Sequence, residues 1–533
     1  MLRPYFFLIF SLCSFLPNLN GQPSKPAAKR PNIIFIMADD HAFQAISAYG
    51  SNLIQTPNID RLAQEGMRFG RAYVTNSICA PSRAVILTGK HSHLNGVRDN
   101  VNTFDGSQQT FPKLLQQAGY QTAIVGKWHL KSEPTGFDFW KVLPDQGDYY
   151  QPTFRTPQGI VQDEGYVTDI ITDEAIGWLD KERDKSSPFM LIYQHKAPHR
   201  EWWPSQEHLR DFKDKPLPEP ASLFDDYRGR GTAARDAEMR ISIHMGLDND
   251  NKIKPELAHT LGFEDFIPWY SNAYNNQYNK FTDEQRRNWD AVYGPINEAF
   301  AKDTPSGDDL TRWKYQRYMQ DYLACIRSVD DNVGRLLDYL EKSGLAENTL
   351  IIYTSDQGFY LGEHGWFDKR FMYEESFRTP LLVRWPGKVK AGAVNDDLVQ
   401  NLDFAETILD AAGAPIPGDM QGRSLLPLLT GKKVEWRDAL YYHYYEYPGI
   451  HAVKRHYGVC TTRYKLIHYY YDVDEWELYD LEKDPHEMHN VIALPEYRAV
   501  KEELLGKLRA LQVQYGDSDE LAQEILLGDL NRK

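Results

Sequence analysis

The stretch PNIIFIMADD, Pro31 to Asp40, is a run of β-prone apolar residues that stops abruptly at two carboxylates. A strand without alternating polar residues needs both faces covered, which suits the interior of a parallel sheet. The same kind of run returns in YQTAIVGKWH (Tyr120 to His129), FMLIYQHKAPH (Phe189 to His199), NTLIIYTSDQG (Asn348 to Gly358) and TPLLVRWPG (Thr379 to Gly387). Between them lie helix-like segments, NIDRLAQEG, TFPKLLQQAG and VDDNVGRLLDYLEKSG, each closed by a glycine that suits a C-terminal stop. This alternation predicts an α/β fold with a large, mostly parallel sheet covered by helices on both faces.

Polar residues gather at the C-terminal ends of these runs, where open α/β sheets bind ligands. Asp39, Asp40, Lys127, His129, His199, Asp356 and Gln357 are therefore expected to converge on one rim. Adjacent carboxylates at a strand end repel each other unless a cation neutralises them. Asp39 and Asp40, with Asp356 and the amide oxygen of Gln357, offer the hard oxygen ligands that Ca²⁺ or Mg²⁺ prefers. An Asp-Asp pair alone equally suits a solvated turn; the second acidic strand end is what favours a metal.

The first residues, MLRPYFFLIFSLCSFLPNLNG, carry one arginine, a short apolar core and a polar continuation, which reads as an export signal over 1–21 followed by a linker over 22–30. No later stretch is apolar for the roughly 18 residues of a transmembrane helix. The mature protein is expected to be exported, periplasmic or secreted, with no transmembrane anchor. Its formal charge of −15, or −16 once Arg3 leaves with the signal, argues against a broad basic face for nucleic acid. Any anionic ligand must be held by a local basic cluster.

About 510 residues remain, too many for one average domain. A polar, aromatic stretch over 211–312 breaks the strand–helix alternation and reads as an insertion over the crevice. After Gly422 the character changes to short Tyr-rich strands, DALYYHYYEYPG, HYGVCTTRYKLIHYYY and WELYDLEKDP, then an amphipathic helix in ALPEYRAVKEELLGKLRALQ. The division read from the sequence is a main domain over 31–422 and a smaller antiparallel sheet with a packed helix over 423–533. With Cys13 lost in the signal, Cys79, Cys325 and Cys460 remain, an odd number that defines no disulfide framework.

Cys79 stands in SICAPSRAVILTG, an apolar run that reads as a helix start. Pro81 suits a first helical turn, and Ser82 is placed to cap it. The helix dipole and Arg83 would favour a thiolate and hold an anion there. An isolated buried cysteine is the plainer alternative, and the residues alone do not say what Cys79 becomes.

CAPSRAVILTG resembles the signature of the type I sulfatases, in which the cysteine of a Cys-x-Pro-Ser-Arg run is converted to formylglycine. MADDH, GKWHL, HKAPH, TSDQG and LGEHGWFDKR accompany it in the family's order, so the resemblance runs from Pro31 into the C-terminal region. It implies an alkaline-phosphatase-like fold and a calcium ion held by Asp39, Asp40, Asp356, Gln357 and one oxygen of the modified Cys79. Many members carry Asn at the position of Gln357, whose longer side chain still offers an amide oxygen. The resemblance further implies that Arg83 and His129 steady the hydrated formylglycine, Lys127 and Lys369 grip the sulfate, and His199 faces the leaving oxygen. The hydrate has one hydroxyl to attack sulfur and a second to expel the sulfate, which a plain Ser or Cys lacks. A maturation enzyme that generates formylglycine is an implied partner.

FDKRFMYEESFRTPLLVRWPG and the C-terminal HYYEYPGIHAVKRHYGV are similar to bacterial sulfatases that remove 6-O-sulfate from N-acetylglucosamine in heparin-like or mucin-type glycans. That resemblance implies that Asp368 and Arg370 bind the sugar's hydroxyls and that His451 and His456 reach the site from the smaller domain. A salt bridge that only positions Lys369 is the plainer account of the Asp–Arg pair. Cys460 stands where a polar or basic residue is expected. The leading expectation is a calcium-dependent exo-sulfatase for a sulfated glycan. The alternatives are a sulfatase for another sugar position, a phosphonate or phosphate ester hydrolase of the same fold, and a non-catalytic glycan binder.

Overall fold

The computed structural model describes residues 30–263 and 272–531, together with Met1. The export signal read over 1–21, apart from Met1, the linker read over 22–30, apart from Arg30, and part of the aromatic stretch near residue 270 lie outside the described residues. Among the described residues no helix is long and apolar enough to cross a membrane.

Five strands organise the main domain: β1 (Asn32–Ala38), β2 (Gln121–Lys127), β3 (Phe189–Gln194), β4 (Thr349–Ser355) and β5 (Leu381–Arg384). They lie in a ten-stranded sheet in which β5, β4, β1, β3 and β2 are consecutive neighbours. β4, β1, β3, β2 and the next strand, Phe139–Leu143, run parallel. β5 runs antiparallel to β4, although its sequence has the same unbroken apolar character as the others. Buried on both sides, a strand of either direction has no polar face to show.

Alternate residues of β1 enter separate cores. Ile34, Ile36 and Ala38 pack with Leu323, Ile326 and Val329 of the long helix α2 (Gly307–Lys342); Ile33, Phe35 and Met37 pack with Ala80, Ala84 and Ile86 of α1 (Cys79–Thr88). The two-sided cover inferred from the apolar runs is therefore present. Leu425, Leu428 and Leu429 still belong to the core on the α1 side.

The smaller sheet is antiparallel: β6 (Ala439–Tyr444), β7 (His456–Thr461), β8 (Tyr464–Tyr469) and β9 (Glu475–Asp480). Its two faces are also both covered. Tyr442, Tyr444, Ile467 and Tyr469 pack on Trp366, Phe371 and Tyr373 of the main domain, whereas Tyr441, Val459 and Leu466 pack on Leu504 and Leu508 of α3 (Arg498–Tyr515). This packing places the 366–373 segment between the two sheets. Among the described residues there is no disulfide; Cys325 and Cys460 are buried free thiols.

Candidate active site

The parallel register assembles the rim. Ala38 pairs with Ser355, so the Asp39–Asp40 and Asp356–Gln357 pairs leave neighbouring strands side by side. The Asp40 amide donates to Asp356 Oδ1 at 3.2 Å. Lys127 ends β2, His129 follows it, and the loop after β3 brings His199 to the same place: His199 Nε2 lies 3.6 Å from Asp40 Oδ2.

Helix α1 lies against these strand ends. Cys79 Sγ is 3.6 Å from Asp39 Oδ1 and 3.6 Å from Gln357 Nε2. Arg83 is buried and spends its guanidinium on four contacts: Asp356 Oδ2 from Nε at 3.1 Å and from Nη2 at 2.8 Å, and from Nη1 the Lys127 carbonyl at 3.0 Å and Gln194 Oε1 at 2.7 Å. Two expectations for this helix fail. Ser82 lies inside it and donates to the Asp356 carbonyl at 2.5 Å, while Asn100 Oδ1 accepts from the Ala80 amide at 3.1 Å. Cys79 is not poised as a thiolate, because burial pushes the thiol up and Asp39 adds to that, outweighing Lys369 and Lys127.

Two lysines face the acidic pair. Lys127 donates to Asp39 and, at 2.5 Å, to Gln146 Oε1; Lys369 donates to Asp40 Oδ2 at 2.7 Å. Burial opposes ionisation of Asp39, yet Lys127, His199, Arg83 and Lys369 hold it well below the usual carboxylate range. Burial and Asp39 instead push Asp356 up to about 7. Burial, with Lys127 next, holds both His129 and His199 well below the usual imidazole range, which disfavours their charged forms. Gln146 meets the lysine, which can only donate, through its oxygen; its amide therefore donates to His129 Nε2, at 3.1 Å.

The 368–370 segment forms the adjoining wall. Asp368 accepts from Arg370 Nη1 and lies 3.3 Å from His451 Nε2; Arg370 Nε donates to Glu446 Oε2 at 3.3 Å. The insertion reaches the same wall: the Glu238 carbonyl accepts from His451 Nδ1 at 2.8 Å, the Met239 carbonyl accepts from the Phe367 amide at 3.0 Å, and Asp250 pairs with Arg200 beside His199. Asp40, His129, Asp368, Arg370 and His451 all have positive φ, from 55° to 99°. Non-glycine residues rarely adopt this region, at a cost of about 1–3 kcal/mol each, and such residues cluster at functional sites. His456 does not join them. Its Nε2 accepts from the Met372 amide at 3.1 Å and its Nδ1 meets the Lys454 carbonyl at 2.8 Å, so both ring nitrogens are spent on backbone within a packed aromatic cluster.

Residues 31–237 and 254–414 match the sulfatase family model, and residues 362–514 match the model for the N-sulphoglucosamine sulphohydrolase C-terminal region. This chain belongs to the sulfatase family. The sulfatase is 52% identical over 513 residues to an N-acetylglucosamine-6-O-sulfatase of Bacteroides thetaiotaomicron, covering 95% of this chain and 90% of that one. It is 28% identical over 438 residues to the Homo sapiens N-acetylglucosamine-6-sulfatase, covering 77% and 66%. A solved structure with D-glucosamine-2-N,6-O-disulfate as its bound substrate superposes with a TM-score of 0.88 at 52% identity, over 92% of this chain and 99% of that one. The phosphonate monoester hydrolase of Agrobacterium radiobacter, 22% identical with a TM-score of 0.64 over 91% and 96% of the chains, shares the fold.

The sulfatase's acidic cluster fits a hard cation. Carboxylate oxygens of Asp39, Asp40 and Asp356 all lie within 4.8 Å of one another, and Gln357 Oε1 is buried without a hydrogen-bond partner. Three carboxylates here face three cations, Lys127, Lys369 and Arg83. A dication would leave the site net positive, as an anionic ester requires. Sequence reading missed Gln146, Gln194, Asn100 and Glu446. An uncharged amide in a loop or at a strand end, or a lone glutamate beyond a Tyr-rich strand, carries no local signal of such a role.

Proposed function

We propose that this sulfatase removes the 6-O-sulfate from N-acetylglucosamine at the non-reducing end of a sulfated glycan. The observation that carries the reading is the run Asp368–Lys369–Arg370: Lys369 reaches the acidic cluster, and the residues on either side form a paired acceptor and donor beside it. Such a pair suits neighbouring sugar hydroxyls, one accepting and one donating. The relative that shares about half of its residues acts on that sugar position.

Cys79 is taken as the precursor of formylglycine, whose hydrate supplies one hydroxyl to attack sulfur and a second to expel the sulfate. Asp39, Asp40, Asp356 and Gln357 would hold a calcium ion, which supplies positive charge for the ester's oxygens. Lys127 and Lys369 then turn from carboxylates already neutralised toward the sulfate. His199 Nδ1 faces the Arg200 carbonyl and so carries a hydrogen, which leaves Nε2 to exchange a proton with the departing sugar oxygen. An anionic ester arriving beside it favours the charged imidazole, so binding and protonation are coupled. His129 receives the Gln146 amide at Nε2 and keeps a buried Nδ1 without a partner for the reacting centre. His451 holds Asp368 in place. The reading also requires export and a formylglycine-generating partner.

The test is sulfate release by the converted enzyme from 6-O-sulfo-N-acetylglucosamine, beside its 3-O- and N-sulfated isomers, 6-O-sulfo-galactose and a phosphate analogue, with and without a calcium chelator. Release from the first alone, lost on chelation, is expected. Release from another member instead discards the roles of Asp368 and Arg370.

A further inference from the structure

Two hydrogen-bonded bridges join the start of α1 to Arg370, and neither passes through the acidic cluster. In one, the Tyr442 hydroxyl accepts from the Ser77 amide at 3.2 Å and donates to the Arg370 carbonyl at 2.5 Å. In the other, the Ala80 amide donates to Asn100 Oδ1 at 3.1 Å, the Asn100 amide donates to Glu446 Oε1 at 3.3 Å, and Arg370 Nε donates to Glu446 Oε2 at 3.3 Å. Tyr442 lies on β6 and Glu446 just beyond it, so the smaller domain supplies both links.

Glu446 is a costly residue in this place. It is 8% exposed, and Arg370 already has a carboxylate partner in Asp368. A second buried carboxylate on one guanidinium must offset its own desolvation, so stability alone is a poor reason for it. The geometry gives a better one. Arg370 commits Nε to Glu446 and Nη1 to Asp368, while Nη2 makes no hydrogen bond with a described residue. A planar fork pinned on two sides presents its third side in a fixed direction.

We infer that Glu446 is a positioning residue: it fixes the free edge of Arg370 relative to the helix start that carries Cys79, and so sets the register between sugar recognition and the reacting centre. The inference rests on the proposed roles of Cys79 and Arg370. It makes the smaller domain part of the substrate-measuring device through a residue that touches no substrate.

The experiment is a double-mutant cycle of Glu446→Gln and Arg370→Ala, measured as kcat and KM on 6-O-sulfo-N-acetylglucosamine. Glu446→Gln keeps shape and burial, and a misaligned recognition group costs about a hundredfold in kcat/KM. In the Arg370→Ala background the same change should cost no more than about twofold, because a residue that acts through Arg370 has nothing left to position once the guanidinium is gone. Glu446→Asp, which keeps the charge but withdraws it by one methylene, should fall between wild type and Glu446→Gln. Equal losses in both backgrounds, or a loss under about twofold in the wild type, overturn the inference. Loss of the calcium-induced rise in melting temperature in Glu446→Gln also overturns it, because the glutamate would then act on the acidic cluster and not on Arg370 alone. If the wild type turns over a different member of the sulfated panel, the substrate reading fails, and the cycle run on that sugar still decides the role of Glu446.

Discussion

Replacing Lys369 by alanine separates two effects of one ammonium. Its Nζ lies 2.7 Å from Asp40 Oδ2, and two unit charges at that distance attract by about 6 kcal/mol at an effective dielectric constant near 20. Desolvation offsets much of this, and removing one partner of a buried pair costs about 3–5 kcal/mol. Asp40 has an escape. Burial raises its pKa and Asp39 adds to that, against Lys369, so without the lysine it takes up a proton and the cost stays near the lower end. Taking about 500 residues as one cooperative unit, the unfolding entropy is about 1.1 kcal/mol/K, and a loss of about 3 kcal/mol corresponds to about 3 °C. A bound dication would neutralise Asp40 in the lysine's place, so the variant should gain more from calcium than the wild type does. Calorimetry of both proteins, chelated and calcium-saturated at neutral pH, checks this. The gap of about 3 °C expected without metal should shrink by at least half with calcium, and calcium binding by the variant should release a proton. Identical calcium-induced shifts in the two proteins would refute the reasoning, because the lysine and the ion would then not share Asp40.

Cys79→Ser, made in a host that does not convert serine, should fold and bind sulfated glycan without turnover; full turnover would exclude the formylglycine reading. His456→Phe should lower the melting temperature and leave KM unchanged, since it strands the Met372 amide and the Lys454 carbonyl at about 1–3 kcal/mol each. A raised KM at an unchanged melting temperature would return the histidine to the pocket. Glu406→Gln addresses pH. Burial, then Asp403, pushes Glu406 from 4.5 up to about 8, and its Oε2 is buried without a partner. Between those values the folded state keeps a proton that the unfolded chain has lost, so stability falls as pH rises through the window. The glutamine variant should therefore out-melt the wild type above about pH 8 and match it near pH 4.5; parallel melting curves across that range would rule this out.

The reacting centre was legible in the sequence because its residues sit at the ends of apolar strands. Parallel pairing then brings Asp39 and Asp356 together with no further information than register. The direction of β5 was not legible, since burial on both faces erases the pattern that distinguishes one topology from another. The thiolate expected of Cys79 failed for a related reason: a helix start is a local feature, whereas the burial and the Asp39 carboxylate that oppose ionisation arrive from a strand 40 residues away. His456 was misjudged because a histidine in a Tyr-rich strand looks the same whether its nitrogens face a pocket or the backbone. Glu446 lies 76 residues from Arg370, and only the docking of the smaller sheet makes them neighbours.

Chemistry and recognition are thus built by different means in this molecule. Most of the groups assigned to bond breaking stand on the rim of one rigid sheet, where a shift of register would move several of them at once, with Cys79 and Arg83 on the helix laid against it. The sugar wall is made by Asp368, Arg370 and His451, each at positive φ and braced by contacts from the insertion and the smaller domain. Their strain, about 1–3 kcal/mol each, persists only while those contacts outweigh it. Substitutions in the outer elements can therefore redirect the wall that meets the sugar and leave the carboxylates, Lys127 and Cys79 where they are. On that division, changes of substrate among chains of this fold should track the loops that brace Asp368 and Arg370 rather than the strand ends.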